Sequence, residues 1–273
     1  MAALMGLLSA CSPITLLNLA ISREGYHIER NLAYGPDPRQ KLDLYVPDHL
    51  AANAPVILFF YGGSWQTGSK KDYLAFGQAF ASEGNMVAIA DYRLYPQVRY
   101  PAFVQDGASA FAYVHANIQR YGGDPKRIFL AGHSAGAYIA VMLAADETYL
   151  RDAGADPAWI RGVIGIAGPY DFLPLKDKDL IAIFGGDNRQ DTQPIYYIDG
   201  KRPPMFLATG TDDTIVGPKN TFRLTEKLRA FSSPVEEKAY PGVGHIGIIV
   251  SLVPGFRGMT TLRKDMIQFV RTH

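Results

Sequence analysis

The sequence predicts an α/β domain, with a mainly parallel central sheet and helices on both of its faces. Near-continuous apolar runs of four or five residues recur along the chain, and segments with apolar residues spaced by threes and fours separate them. A strand that is apolar on both sides needs cover on both faces, which helices supply. Repeated strand, helix, strand units with right-handed crossovers then make the strands parallel. A third observation is the size. A chain of 273 residues, 48% hydrophobic and 19% charged, has the length of one such domain and enough apolar matter to exclude general disorder.

The elements follow in order. Ile28–Leu32 and Lys41–Val46 read as an opening antiparallel pair, because Leu42, Leu44 and Val46 alternate with other positions and Gly35-Pro36-Asp37-Pro38 punctuates between the two runs. The buried parallel strands are Val56–Phe60, Met86–Ala90, Ile128–Ala131, Val163–Ala167 and Met205–Ala208, and Val235–Tyr240 follows. Helices are predicted over Asp72–Ser82, Phe103–Arg120, Ala135–Ala145, Lys219–Phe231 and Met259–Thr272, each with a stripe of apolar side chains such as Val104, Ala108, Phe111, Val114 and Ile118. The stretch Gly168–Arg202, rich in Pro, Asp and Gly, reads as an excursion over the carboxyl edge of the sheet that caps it, not as a second domain. Residues 25–273 thus form one domain, with residues 1–24 as an N-terminal segment that contributes to the cap.

Charge and cysteine content narrow the function classes. Lys+Arg 27 against Asp+Glu 26 leaves a formal charge of +1, so no net field attracts nucleic acid, and a nucleic-acid partner is not expected. The single cysteine, Cys11, excludes an internal disulfide, a zinc cluster of thiolates and a cysteine nucleophile deep in the fold. Leu8-Ser9-Ala10-Cys11 resembles a bacterial lipobox. That resemblance implies removal of the preceding segment and a lipid on Cys11, tethering the protein to a membrane in the bacterial envelope. No Lys or Arg precedes Arg23, whereas a secretory leader starts with positive charge. The other reading is a short docking helix on a cytoplasmic protein, with Ser12 as N-cap, Pro13 in its first turn and Leu16, Leu17 and Ala20 on one face. Ser9, Ser12, Pro13, Thr15 and Asn18 interrupt the apolar stretch too often for a membrane span.

The most informative stretch runs from Ile128 to Gly136. A buried strand leads into Gly132-His133-Ser134-Ala135-Gly136 and then into an apolar helix. Gly-x-Ser-x-Gly at a strand-to-helix turn holds the serine in strained backbone geometry and exposes its hydroxyl. The turn also aims the Ala135 N–H, at a helix start, toward an oxygen that becomes negative during acyl transfer. A second glycine loop, Tyr61-Gly62-Gly63-Ser64-Trp65, follows the run Val56–Phe60. Glycines there let backbone approach a reacting oxygen.

Tyr61–Trp65, Asp91-Tyr92-Arg93-Leu94, Gly122-Gly123-Asp124-Pro125 and Gly132–Gly136 occur in the order seen in bacterial carboxylesterases of the hormone-sensitive-lipase and feruloyl-esterase-like groups. The chain resembles these α/β-hydrolases from about Leu42 to His245. It departs from them where they commonly carry His and a third glycine, having Tyr61 and Ser64 instead. The resemblance implies oxyanion donors at the N–H groups of Gly63, Ser64 and Ala135. It also implies a triad in the order Ser, acid, His. Of six histidines, only His245 and the terminal His273 follow Ser134 by enough, and His245 sits in the turn Pro241-Gly242-Val243-Gly244-His245. His245 is therefore the expected base. Two adjacent carboxylates, Asp212 and Asp213, follow Met205–Ala208. The family spacing, three residues after a glycine and three before a valine, selects Asp213, with Asp212 left to cap the turn.

The resemblance thus implies a serine carboxylesterase, needing no cofactor or metal, with Ser134 as nucleophile. No long, wholly apolar lid is evident, so small soluble esters with short acyl chains are expected. Arylformamidase and acetyl or feruloyl esterase activities would use the same triad. A reading of another class, a non-catalytic binding domain on a hydrolase scaffold, sits poorly with the presence of all three triad members. Trp65, Tyr138 and Tyr170 are expected to line the substrate pocket, and Arg93 and Asp106 to act as structural polar anchors.

Overall fold

The computed structural model describes residues 21–273. The lipobox reading at Cys11 and the docking helix near Pro13 both fall outside the described residues. Eight strands form one sheet: β1 Tyr26–Ala33, β2 Lys41–Pro47, β3 Ala54–Phe60, β4 Met86–Ala90, β5 Gly123–His133, β6 Ile160–Ile166, β7 Met205–Gly210 and β8 Val235–Tyr240. Their spatial order is β1-β2-β4-β3-β5-β6-β7-β8. β2 is antiparallel to both neighbours, and every other pairing is parallel. The predicted sheet is therefore the observed one. The apolar runs that defined it, such as Val56–Phe60 and Met86–Ala90, have no exposed surface. Full burial of β-branched and aromatic side chains between two helix layers is the main favourable term in such a fold.

The helices are α1 Leu74–Ala81, α2 Ala102–Asn117, α3 Ala135–Ala145, α4 Thr148–Asp152, α5 Lys178–Phe184 and α6 Lys219–Ala230 between strands, and α7 His245–Val250 and α8 Leu262–Thr272 after the last strand. α3 is buried on all sides, as a central helix that packs on the sheet directly after β5 must be. The predicted helix Phe103–Arg120 ends earlier. Its last turn tightens into a 3-10 segment, Ile118–Tyr121, which stops at Gly122 in the left-handed region. Likewise Asp72–Ser82 opens with a 3-10 turn, Lys70–Tyr73, before α1. The short helices α4, α5 and α7 were not predicted. Five to seven residues are too few to repeat a helical period, so sequence spacing carries no signal for them. Among the described residues, no helix is long and apolar enough to cross a membrane.

The excursion Gly168–Arg202 borders the carboxyl edge of the sheet as expected. It holds α5 and two 3-10 turns, and an aromatic cluster pins it down. Phe184 and Phe172 pack against Trp65, with centroids 4.9 and 6.3 Å away, and Tyr100 N–H donates to the Ile183 carbonyl at 3.0 Å. The Asn220 side chain, at the start of α6, accepts the N–H groups of Tyr170 and Asp171 and so ties the excursion's first residues to the sheet. Arg93 and Asp106 are structural anchors of the kind expected. The guanidinium bonds both carboxylate oxygens, at 2.7 and 3.0 Å, while Gln40 donates to the same carboxylate.

Candidate active site

Three loops at the carboxyl ends of β5, β7 and β8 bring Ser134, Asp213 and His245 together. Ser134 sits at the end of β5 with φ 54° and ψ −121°, a strained conformation for a residue with a side chain. Its neighbours make that conformation accessible. A Cβ on Gly132 would stand 2.2 Å from the backbone of Gly136, and one on Gly136 would stand 2.0 Å from the Phe60 carbonyl oxygen. The two glycines therefore let β5, α3 and β3 meet at van der Waals distance under the serine. The Ser134 N–H is itself held by the Ile166 carbonyl at 2.9 Å.

His245 is the first residue of α7. Its Nδ1 donates to Asp213 Oδ2 at 2.7 Å and its Nε2 accepts the Ser134 hydroxyl at 2.9 Å. A carboxylate can only accept here, which fixes the proton on Nδ1 and leaves the Nε2 lone pair for the serine. The other Asp213 oxygen accepts the N–H groups of Ile215 and Val216 at 3.0 and 2.8 Å. Burial alone would raise the Asp213 pKa, but the hydrogen bonds from His245, Val216 and Ile215 outweigh it and hold the carboxyl below its ordinary value. Asp212, by contrast, is exposed and accepts only from the Thr211 hydroxyl on its side chain. His273 packs against Phe269, remote from this cluster in contact.

The second glycine loop follows β3. Gly63, Ser64 and Trp65 all have positive φ, at 132°, 52° and 59°. A Cβ at Gly63 would lie 2.2 Å from the Thr67 carbonyl oxygen, so only glycine fits. The Gly63 carbonyl turns inward to accept the N–H groups of Gln66 and Thr67, at 2.9 and 3.0 Å. Among the described residues, the N–H groups of Gly63 and Ser64 have no acceptor, and with Ala135 at the start of α3 they are the donors available beside the serine. At the departure from the family pattern, the Tyr61 hydroxyl accepts from Arg39 Nη2 at 2.6 Å, and the same nitrogen reaches the Gly68 carbonyl at 2.9 Å.

His133, the residue before Ser134, precedes it in the chain and so fails the order expected of the base, and the structure gives it a different place. Its Nε2 lies 3.1 Å from the backbone carbonyl of His245, so it must donate there. Burial, and then the neighbouring His245, lower its pKa to about 3, keeping the ring neutral. Its Nδ1 is left to accept from the Tyr73 hydroxyl at 3.1 Å, and that hydroxyl accepts the Gly62 N–H at 3.1 Å. One buried chain of hydrogen bonds thus links the glycine loop to the backbone of the base. Sequence reasoning missed Tyr73, His133 and Arg39. Their partners are backbone atoms or residues far away in the chain, which no local motif reveals.

Two cavities flank Ser134. Trp65 lines one of them, together with Ala135, Phe172 and Val216. Tyr138 and Tyr170 are corrections: both are fully buried and neither lines a cavity beside the serine. Tyr138 donates to the Thr192 carbonyl at 2.7 Å and meets Trp65 edge-on at 5.1 Å, so it supports the pocket wall from behind. Tyr170 packs its ring over Gly165 and Gly168. Among the described residues, no group of three or more His, Cys, Asp or Glu side chains could hold a metal ion.

Comparison with known proteins places this geometry in a family. Isoprenylcysteine alpha-carbonyl methylesterase ICME of Arabidopsis thaliana is 28% identical over 245 residues, covering 82% of this chain and 57% of its own. Carboxylesterase NlhH of Mycobacterium tuberculosis is 34% identical over 211 residues, covering 68% and 65%. The chain spans little more than half the length of the first curated relatives it matches. The crystal structure of an inhibited esterase B from Lactobacillus rhamnosis superposes with a TM-score of 0.79 at 21% identity, covering 94% of this chain and 91% of that one, so the two share a fold. The BD-FAE family model matches residues 42–228, from β2 through both glycine loops to α6. On that match the chain belongs to the BD-FAE family and has the α/β-hydrolase fold.

Proposed function

We propose that the protein is a serine carboxylesterase acting on small, short-chain esters through an acyl-enzyme. The observation that carries this reading is the continuous chain from Asp213 Oδ2 through His245 to the Ser134 hydroxyl, at 2.7 and 2.9 Å. In the reaction, His245 Nε2 takes the Ser134 proton as Oγ bonds the ester carbonyl carbon. The N–H groups of Gly63, Ser64 and Ala135 hold the carbonyl oxygen as it gains charge. The bond to the alcohol oxygen then breaks, and His245 returns the proton to that oxygen. Water, deprotonated by His245, attacks the acyl-enzyme, and the acid leaves as Ser134 regains its proton. Asp213 holds the imidazole tautomer throughout and stabilises the imidazolium without taking its proton.

The names of the relatives, a methylesterase and a carboxylesterase, support ester hydrolysis. Arylformamidase and acetyl or feruloyl ester hydrolysis share the same machinery and differ in which leaving group the cavities admit. A fluorophosphonate probe should label wild-type protein at Ser134, and neither Ser134→Ala nor His245→Ala should be labelled at that position. A screen of acetyl, butyryl, octanoyl, feruloyl and formyl-aryl substrates should peak at short acyl chains. Labelling that survives His245→Ala at the wild-type rate, or an optimum at long chains with interfacial activation, would reject the proposal.

A further inference from the structure

The two cavities beside Ser134 carry side chains of opposite charge. The first, about 350 Å³, is walled by Trp65, Phe172, Leu180 and Val216, and among the described residues its only charged lining side chains are Lys176 and Lys219. The second, about 390 Å³, is lined by Thr67, Tyr73, His245 and Ile246, and among the described residues its only acidic side chain is Asp72.

Several observations make the first cavity a place for an anionic group. Among the described residues, neither lysine has an ion-pair partner, whereas Lys70 and Lys238 do. Three of the neighbouring carboxylates are committed elsewhere. Asp171 pairs with Arg223 at 2.7 Å, Asp177 caps α5 by accepting the N–H groups of Asp179 and Leu180, and Asp213 holds His245. Lys219 opens the twelve-residue helix α6, whose first turn adds positive potential at the same mouth. Cations outnumber anions along its lining, among apolar walls.

The geometry also orients an ester. The proton that His245 takes from Ser134 must return to the leaving oxygen, so that oxygen faces Nε2. His245 lines the second cavity and not the first. The alcohol half therefore departs through the second cavity and the acyl half occupies the first. An anionic alcohol half would meet Asp72. We propose that the preferred substrates are esters whose acyl half ends in a carboxylate, such as monoesters of short dicarboxylic acids, held by Lys176 and Lys219. This rests on the hydrolase reading above and adds the substrate class to it.

The test compares kcat/KM, each normalised to the alkaline hydrolysis rate of the same compound, for 4-nitrophenyl hemiglutarate, 4-nitrophenyl butyrate and 4-carboxyphenyl butyrate. Hemiglutarate should exceed butyrate by about five- to ten-fold, the size that two solvent-facing ion contacts supply. The ratio should fall toward one in Lys176→Ala/Lys219→Ala and at about 1 M salt, where screening acts within ~3 Å. It should stay in place in Lys126→Ala, which lines neither cavity. The carboxyphenyl ester should be no better than butyrate. A ratio at or below one in the wild type, a preference that survives the double substitution, or a preference for charge on the leaving half would overturn the proposal. Failure to hydrolyse any of the three would instead reject the hydrolase reading.

Discussion

Replacing His133 with glutamine should make the protein more resistant to acid, and the size of the effect follows from the burial of one ring. In the folded state the imidazole is held neutral, with its pKa lowered to about 3 by burial and by His245, while an unfolded chain restores a value near 6.5. The unfolded state therefore binds more protons throughout that interval. The stability associated with the neutral ring is complete above about pH 6.5 and is lost as pH falls toward about 3. At 1.36 kcal/mol per unit of separation, the linkage removes about 2 kcal/mol between about pH 7 and about pH 5, and about 3 kcal/mol by about pH 4. Glutamine offers an amide N–H for the His245 carbonyl and an oxygen for the Tyr73 hydroxyl, and it does not titrate. Asp213 contributes a loss of the same sign at lower pH, and that loss is common to both proteins. Urea unfolding of wild type and His133→Gln at a series of pH values measures the difference. The wild-type curve should fall more steeply over this window even if the variant starts lower at neutral pH. Parallel curves would show that His133 does not carry a depressed pKa, and the tautomer assigned to the Tyr73–His133 chain would fall with it.

Asp213→Asn should lower kcat by about 10³- to 10⁴-fold with the fold intact, because an amide cannot hold the Nδ1 proton in place. Asp212→Asn should stay within about threefold of wild type in steady-state kinetics, and the reverse pattern would move the acid to Asp212. Tyr73→Phe keeps the ring, whose centroid lies 5.1 Å from that of Phe59, and removes the hydroxyl that receives the Gly62 N–H. Because Gly62 adjoins Gly63, a proposed oxyanion donor, kcat should drop by about 10- to 100-fold with KM changed less than about threefold. A variant that only melts earlier, with unchanged kcat, would reduce Tyr73 to packing.

How much of this was legible in the sequence varied from element to element. The parallel strands were readable because burial on both faces leaves a local mark, an unbroken apolar run, and β3, β4 and β6 coincide with such runs to within a few residues. β5 starts at Gly123, five residues before the apolar run at Ile128, because its first residues lie where the sheet meets solvent and need not be apolar. The nucleophile turn was legible because its geometry demands two glycines at fixed positions. The choice between Asp212 and Asp213 was not a property of the residues. They are neighbours of the same type, and what separates them is which one the turn points inward, toward two N–H groups and an imidazole. Tyr138 and Tyr170 were misplaced for a related reason. Tyr170 fills the space that the missing Cβ atoms of Gly165 and Gly168 leave, and Tyr138 backs Trp65 edge-on, so a ring near the serine turn need not face the cavity.

The Arg39 guanidinium has a consequence for transplanting this machinery. It reaches Tyr61 and Gly68, on either side of the second glycine loop, and also the Tyr92 carbonyl, from a position between β1 and β2 that lies outside every recognisable motif. The loop's shape is thus partly written some twenty residues upstream of it. Moving Tyr61 through Gly68 alone into a related scaffold would carry the letters without the clasp, and replacing Tyr61 would cost the guanidinium one of its three partners. Positions 39 and 61 are better exchanged as a pair.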